Sequence, residues 1–353
     1  MKTALFFLFI FISIINAQDK DQIIHSLDGA IIYDVCGDKD NLWAASYGNG
    51  VYQYSKKKNK WINYSTKNNA LPHDFFYCIT SNEKYVWAGS SDGLFIFDKR
   101  TKRWKKRKFG KGGQLSNWIR SIAYDKHLDA VWIGRFKYLT KLDIKKRRFT
   151  DYDLTVEGDD KTNTIKSIKI DADSLVWFGT EAGLHKYKKA RRFHDKGAVT
   201  FYDNSRSYFN GEGETVSIST LLFEQGNIWI GLDEFVTRQK TDYNVGGLYR
   251  FDRGNEWLRF DMDDGFYGNG IADLELIGNQ IWAALYQFHP DTKEQFGRGI
   301  ALIDRKTFEV TMIPESEMPS AVFSIYFDKK YVWLGTSKGI FKIDLTNKLA
   351  NLK

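Results

Sequence analysis

Apolar residues in this chain come in short alternating runs, and the runs recur in sets. The clearest set is Tyr331-Val332-Trp333-Leu334-Gly335, a small turn Thr336-Ser337-Lys338, then Gly339-Ile340-Phe341-Lys342-Ile343-Asp344. Side chains alternate faces along a strand, so these runs read as two antiparallel strands joined by a tight turn. The same Trp recurs at Trp43, Trp87, Trp132, Trp177, Trp229, Trp282 and Trp333. A spacing of roughly 40–50 residues with strand pattern throughout is the mark of propeller blades.

Each repeat supplies four strands, labelled A to D from the propeller axis outward. In blade one they are 31–36, 41–45, 51–54 and 61–64; in blade six, 271–277, 280–284, 300–303 and 308–312. Blade seven supplies 322–327, 331–335 and 340–343 but lacks a clear fourth strand. Gln22-Ile23-Ile24-His25 stands before the first strand A, where every other blade has its strand D. This segment is expected to complete blade seven and close the ring, which removes two exposed sheet edges. The fold class is therefore all-β: a seven-bladed β-propeller of four-stranded blades, closed by the N-terminal strand. Residues 18–353 read as one domain, with 345–353 as a short tail. The repeat Trp is expected to pack between blades. The Gly that opens strand C is expected to take a backbone angle other residues resist.

Residues 1–17 read as a secretory signal peptide: Lys2, an apolar core over 4–15, and the cleavage triplet Ile15-Asn16-Ala17. The apolar run is short for a membrane span, an uncleaved anchor being the alternative. No later stretch is long enough to cross a bilayer, so the mature chain is expected to be periplasmic or secreted. Export permits a disulfide between Cys36 and Cys78. Their offsets from Trp43 and Trp87 keep the same strand parity, which turns one away from the other's blade, so free thiols are expected.

Two motifs now carry a resemblance. One is the B–turn–C unit, as in Leu175-Val176-Trp177-Phe178-Gly179-Thr180-Glu181-Ala182-Gly183-Leu184. The other is the turn entering strand A: Asn69-Ala70-Leu71-Pro72-His73-Asp74, Gln114-Leu115-Ser116-Asn117, Asp264-Gly265-Phe266-Tyr267-Gly268-Asn269 and Met318-Pro319-Ser320. Together they resemble the two-component regulator propeller repeat, over essentially the whole mature chain. The resemblance implies an extracytoplasmic propeller; many such propellers form the sensor of hybrid histidine kinases that detect oligosaccharides. With one ring's worth of repeats and neither kinase nor immunoglobulin-like module in this sequence, what carries over is a recognition propeller without direct transmembrane signalling.

In such a blade the D–A and B–C loops emerge on one face, around the channel mouth. Two B–C inserts are long, 233–244 in blade five and 286–296 in blade six. They should stand side by side as a wall, and long loops on a rigid scaffold carry function. Their mixture of aromatic and planar polar groups suits a glycan or peptide. The candidate ligand-binding residues are Tyr286, Phe288, His289, Asp291, Arg238 and Tyr243 on the wall, with Trp118, Arg120, His73 and Arg135 at the mouth. A glycan, a peptide or an envelope protein is the expected partner, and the chain is expected to be a monomer.

His289 is the candidate for acid–base work, which keeps open a propeller-type lyase or hydrolase acting on a polysaccharide. Asp261, Asp263 and Asp264 precede Gly265 but lack EF-hand spacing. Zinc spacing and a phosphate-cradling loop are absent from the sequence, so neither metal nor cofactor is expected. The net charge is +8. Basic runs at 56–58, 99–108, 145–148 and 188–192 fall in C–D hairpins and outer strands. They protect strand edges or attract an acidic surface such as anionic glycan or lipid headgroups, as an envelope scaffold would. Nucleic acid is not an expected partner of an exported chain.

Overall fold

The computed structural model describes residues 23–172, 174–224, 226–314 and 318–345. The expected leader and all of the tail beyond Leu345 lie outside the described residues. Seven four-stranded antiparallel sheets follow one another, each ordered A-B-C-D. The inner strands are Ile31–Gly37, Phe76–Ser81, Ile119–Asp125, Ile165–Asp171, Ile218–Glu224, Gly270–Ile277 and Val322–Phe327. Each touches the next, and the last touches the first, so the ring is closed. Blade seven has Val322–Phe327, Tyr331–Thr336 and Gly339–Asp344, and its outermost strand is Ile23–Ser26. The pairing runs from Ile23 opposite Ile343 to Ser26 opposite Ile340, as expected for closure by the N-terminal strand.

The seven repeat Trp side chains are all buried, and most reach the next blade. Trp43 meets Phe97 of blade two at 5.3 Å, Trp132 meets Phe178 of blade four at 5.5 Å, and Trp333 meets Tyr54 of blade one at 5.3 Å. Tilted and edge contacts at these separations suit the ring quadrupoles. The glycine opening strand C has positive φ, 118° at Gly93, 136° at Gly183 and 104° at Gly339, which glycine adopts without a Cβ penalty. The glycine ending strand B has a different reason. A Cβ on Gly179 would sit 2.5 Å from the Ile218 Cγ2 of the next blade, so close packing between blades excludes any side chain there. Cys36 and Cys78 are free thiols.

On the face opposite the long inserts, a second device joins neighbours. A residue one or two positions after strand C of one blade reaches an acid at the end of strand A or in the A–B turn of the blade before it. The pairs are Lys99–Asp38 at 2.5 Å, Lys189–Asp125 at 3.0 Å, Arg253–Asp171 at 2.6 Å, Arg305–Glu224 at 2.7 Å and Lys56–Asp328 at 3.4 Å. At the two remaining junctions the same position is apolar. Ile144 of blade three packs beside Trp87 and Tyr124, and the blade-two turn carries Asn82 in place of an acid. Leu345 of blade seven packs with Ile277. Charge thus appears only where the neighbour offers the opposite charge.

Two outcomes follow from this packing. Asp125 and Lys189 are both buried, so Lys189→Ala leaves a carboxylate unpaired and is expected to cost about 3–5 kcal/mol in denaturant unfolding. The double variant Asp125→Asn/Lys189→Ile, which copies the Asn82 and Ile144 pairing, should recover most of that loss. A cost below about 1 kcal/mol, the value typical of a surface pair, would show that the clasp is not structural. Deleting residues 18–26 should lower the melting temperature of the whole ring, and an unchanged transition would contradict closure by that strand.

Candidate functional site

Every inner strand carries the same irregularity. Near its start the ladder to strand B slips by one residue, between Ile32 and Asp34, Phe76 and Cys78, Ile119 and Ser121, Ile165 and Ser167, Ile218 and Thr220, Ile271 and Asp273, and Val322 and Ser324. The residues left unpaired are Tyr33, Tyr77, Arg120, Lys166, Ser219, Ala272 and Phe323. A bulge re-aims the side chain it carries, and here it places one side chain per blade around the mouth of the channel.

The ring they form is two-sided. From blade seven to blade three it is aromatic. Tyr33 lies 5.1 Å from Phe323 and 5.9 Å from Tyr77, Tyr77 lies 5.5 Å from Trp118, and Trp118 stacks on Phe136 at 5.6 Å. Tyr47 and Phe75, 40% and 41% exposed, extend this arc toward solvent. Burial raises the Tyr33 and Tyr77 hydroxyls above the usual phenol range, so both stay protonated donors.

Blades three to six supply the polar side. Arg120 pairs with Glu181 at 2.5 Å and lies over the Trp118 ring at 5.7 Å. Lys166 pairs with Asp233 and meets Ser217 Oγ at 3.1 Å. Asp233 also accepts from Ser217 Oγ at 2.6 Å and from the Tyr286 hydroxyl at 3.0 Å. Burial and the adjacent Arg120 charge lower the pKa of the Lys166 ammonium to about 7, and the Glu181 carboxylate opposes that shift. Between the two sides lies a cavity of about 250 Å³, walled by Tyr33, Phe323, Ser219, Asp233 and Tyr286 among others.

The long inserts stand beside this cavity as hairpins and not as open loops. Blade six extends its B and C strands, which span Gln280–Phe288 and Gln295–Asp304, slip in register between Ala284 and Tyr286, and end with Phe288 opposite Gln295. Blade five adds a short ribbon, Glu234–Phe235 with Asn244–Val245. The two are joined edge to edge: Phe288 N–H donates to Glu234 Oε2 at 2.7 Å, Phe235 packs on Phe288 at 4.6 Å, and Arg238 grips Asp291 at 2.5 Å.

The candidate residues fall into three groups. Trp118, Arg120 and Tyr286 meet the mouth, although Tyr286 is buried and its hydroxyl serves to hold Asp233. Arg238, Asp291, Phe288 and Tyr243 belong to the wall, where Phe288 is buried and the Tyr243 hydroxyl bonds Lys161 Nζ. His289 is exposed at the hairpin tip, and its Nδ1 accepts the Asp291 and Thr292 amides at 3.3 and 3.2 Å, which caps the turn. His73 and Arg135 lie apart from the cavity. His73 stacks over Phe95 of blade two at 6.2 Å. Arg135 is 0% exposed, pairs with Asp151 at 3.0 Å, and lies 4.6 Å over the Phe109 ring. It also donates to the carbonyls of Lys111 and Ser116, so its donors pin the loop entering blade three. The sequence reading passed over Tyr33, Tyr77, Phe323, Lys166, Asp233 and Glu181. Most bulge positions sit about ten residues before the repeat Trp, and reading that column across blades is the signal that finds them.

No family model matches the sequence, and no curated protein matches it either. Solved structures do resemble the fold. The extracellular domain of a one component system from B. thetaiotaomicron has a TM-score of 0.66 at 19% identity, covering 92% of this chain and 40% of that one. Virginiamycin B lyase from Staphylococcus aureus has a TM-score of 0.64 at 13% identity, covering 92% of this chain and 98% of that one. PorZ, a surface component of the type-IX secretion system of Porphyromonas gingivalis, has 0.61 at 12% identity, covering 92% of this chain and 38% of that one. The chain thus spans 40% of the length of the first of these. These likenesses define its class by fold alone, a single seven-bladed β-propeller. No helix among the described residues is long and apolar enough to cross a membrane.

Below the bulges, the inner strands carry two enclosed carboxyl groups, Asp34 and Glu275. Asp34 Oδ2 accepts the Ile79 amide of blade two at 2.7 Å. Enclosure pushes Asp34 and Glu275 up to about 7. The unfolded value is about 4. A carboxyl raised on folding contributes stability that is fully present below about pH 4 and is lost as pH rises through about 7. Asp34→Asn should therefore gain in melting temperature relative to the wild type as pH rises from about 4 to 7. Parallel curves for the two proteins would contradict the assignment.

Proposed function

We propose that residues 18–353 form one exported recognition domain, monomeric, which binds a glycan at the channel mouth. The observation that carries this reading is the division of the mouth into an aromatic arc and a polar arc on a rigid ring. Sugar rings present apolar C–H faces and a rim of hydroxyls. The arc of Tyr33, Tyr77 and Trp118 offers surfaces for the faces, and Arg120, Ser219 and the tyrosine hydroxyls offer partners for the rim. The wall of Arg238, Tyr243, Tyr286, Phe288, His289 and Asp291 shapes one side of the entrance. The leader-like N-terminus supports export, and so does the likeness to an extracellular domain.

The test is binding of the purified protein to an array of oligosaccharides and polysaccharides, with the incubated samples analysed for cleavage. A selective hit without product is expected. Tyr33→Ala and Trp118→Ala should each weaken it at least tenfold, about 1.4 kcal/mol, whereas Arg238→Ala, which loosens only the wall, should weaken it less. No binding to any glycan would overturn the reading, and cleaved product would replace it with an enzymatic one.

A further inference from the structure

The face opposite the mouth carries charge that neither the fold nor the ligand site uses. It is built from the A–B turns and C–D hairpins. In blades one and two a single cation of each hairpin serves an inter-blade clasp, Lys56 and Lys99. The others point outward. Lys57 and Lys58 in blade one, Arg100, Lys102 and Arg103 in blade two, and Lys145, Arg147 and Arg148 in blade three are all exposed. None of these eight forms a salt bridge among the described residues. Blade four adds the exposed Lys188 and Arg191. The other blades carry less: Arg253 and Arg305 are spent on clasps, Glu256 and Glu309 stand in the same hairpins with Lys306 as the one exposed cation, and blade seven adds Lys329 and Lys330 in its A–B turn. The surplus is therefore densest over four consecutive blades, one to four.

Edge protection does not account for this arc. Every blade has an outermost strand, yet only that of blade two, Arg103–Arg107, is basic along its length. The outermost strands of blades four and six, Val199–Tyr202 and Val310–Met312, contain no Lys or Arg. A rule about edges would load them all. Most of the surplus sits instead at hairpin tips, which lie side by side at one face of the ring. Tips spread along an arc meet a surface together, whereas a single extended polyanion would call for a continuous groove. Among them, in the A–B turn of blade three, Leu128 is 41% exposed between Lys126 and Asp129, with His127 beside it. A projecting Leu on a basic face suits a surface whose charged layer covers an apolar one.

We propose that this face docks on an anionic phospholipid bilayer, with blades one to four against the headgroups and the channel mouth turned away. Basic side chains near such a surface bind through its negative potential, which salt screens within a Debye length. The docking does not depend on what the mouth binds.

Co-sedimentation of the purified protein with vesicles tests this. One set is phosphatidylcholine alone and the other holds roughly 30% phosphatidylglycerol, each at about 50 and 500 mM NaCl. Binding is expected to the phosphatidylglycerol vesicles at low salt, at least tenfold tighter than to phosphatidylcholine, and it should fall away at high salt. The variant Lys102→Glu/Arg103→Glu/Lys145→Glu should lose at least tenfold while keeping its melting temperature, because these side chains are exposed and unpaired. Leu128→Asp should weaken binding further than salt alone explains. Lys67→Glu, on the mouth face, should change nothing. Equal binding to both lipids would overturn the proposal, as would full binding by the triple variant. So would a protein that ignores the vesicles but binds soluble polygalacturonate.

Discussion

The acid that opens the A–B turn holds this molecule together. Asp38 and Asp328 each cap their own turn through backbone amides. Each also accepts the indole N–H of its own repeat Trp, at 3.2 Å from Trp43 and 3.1 Å from Trp333, and Glu224 does the same for Trp229 at 2.7 Å. The remaining capacity of each receives a cation from the next blade. One carboxylate thus fixes a turn, orients the largest core side chain and sets the position of the neighbouring sheet. Charges withdrawn from water are tolerated only when such partners surround them, so each of the five clasped junctions has one favourable registration. A stack of sheets held by apolar contact alone has no comparable device against sliding.

Because the clasps occupy one face, the other is free to vary. The bulge near the start of each inner strand keeps its backbone geometry around the ring, while its residue changes from Tyr to Arg, Lys, Ser, Ala and Phe. The side chain at the mouth can thereby change at one position per blade without disturbing the ladder below it. Blade three departs further. Where six blades open strand C with glycine, it has Tyr138 at φ 79°. The ring of Tyr138 lies 4.4 Å from Lys111 Nζ and 5.7 Å from the Arg135 guanidinium. A bulky residue held at positive φ is strained unless its surroundings enforce it, and these cations together with Asp151 are those surroundings. The loop they hold ends in Trp118, at the aromatic side of the mouth.

Strand order and ring closure were legible because they rest on period-two alternation and on a recurring Trp, both local in sequence. The insert at 286–296 has the content of a loop, yet Tyr286-Gln287-Phe288 alternates, and the ladder resumes there after a slip in register between Ala284 and Tyr286. Tyr33, Tyr77, Phe323 and Lys166 were not legible one blade at a time. No glycine or proline marks the bulge, so each looks like an ordinary member of an alternating strand. Arg135 misled for the opposite reason. A charge near a turn reads as exposed, and only the fold reveals Phe109 packed against its guanidinium and Asp151 paired with it. The basic runs were legible as charge but not as roles, because the division between clasp cation and surplus cation depends on the neighbouring blade.

The wall beside the mouth shows how little the exposed charges on it contribute. Arg238 and Asp291 are largely solvated, and such a pair adds little to stability. The rigidity comes from beneath. Glu234 is buried, accepts the Phe288 amide, and donates its own amide to the Tyr286 hydroxyl at 3.2 Å. Tyr286 in turn holds Asp233, which holds Lys166. The hairpin, the cavity wall and the bulge cation of blade four thus form one hydrogen-bonded chain. A ligand that enters the cavity meets groups already fixed in place, so little ordering entropy opposes its binding. The same chain transmits any displacement of Asp233 to the wall, which makes the entrance and the cavity one site.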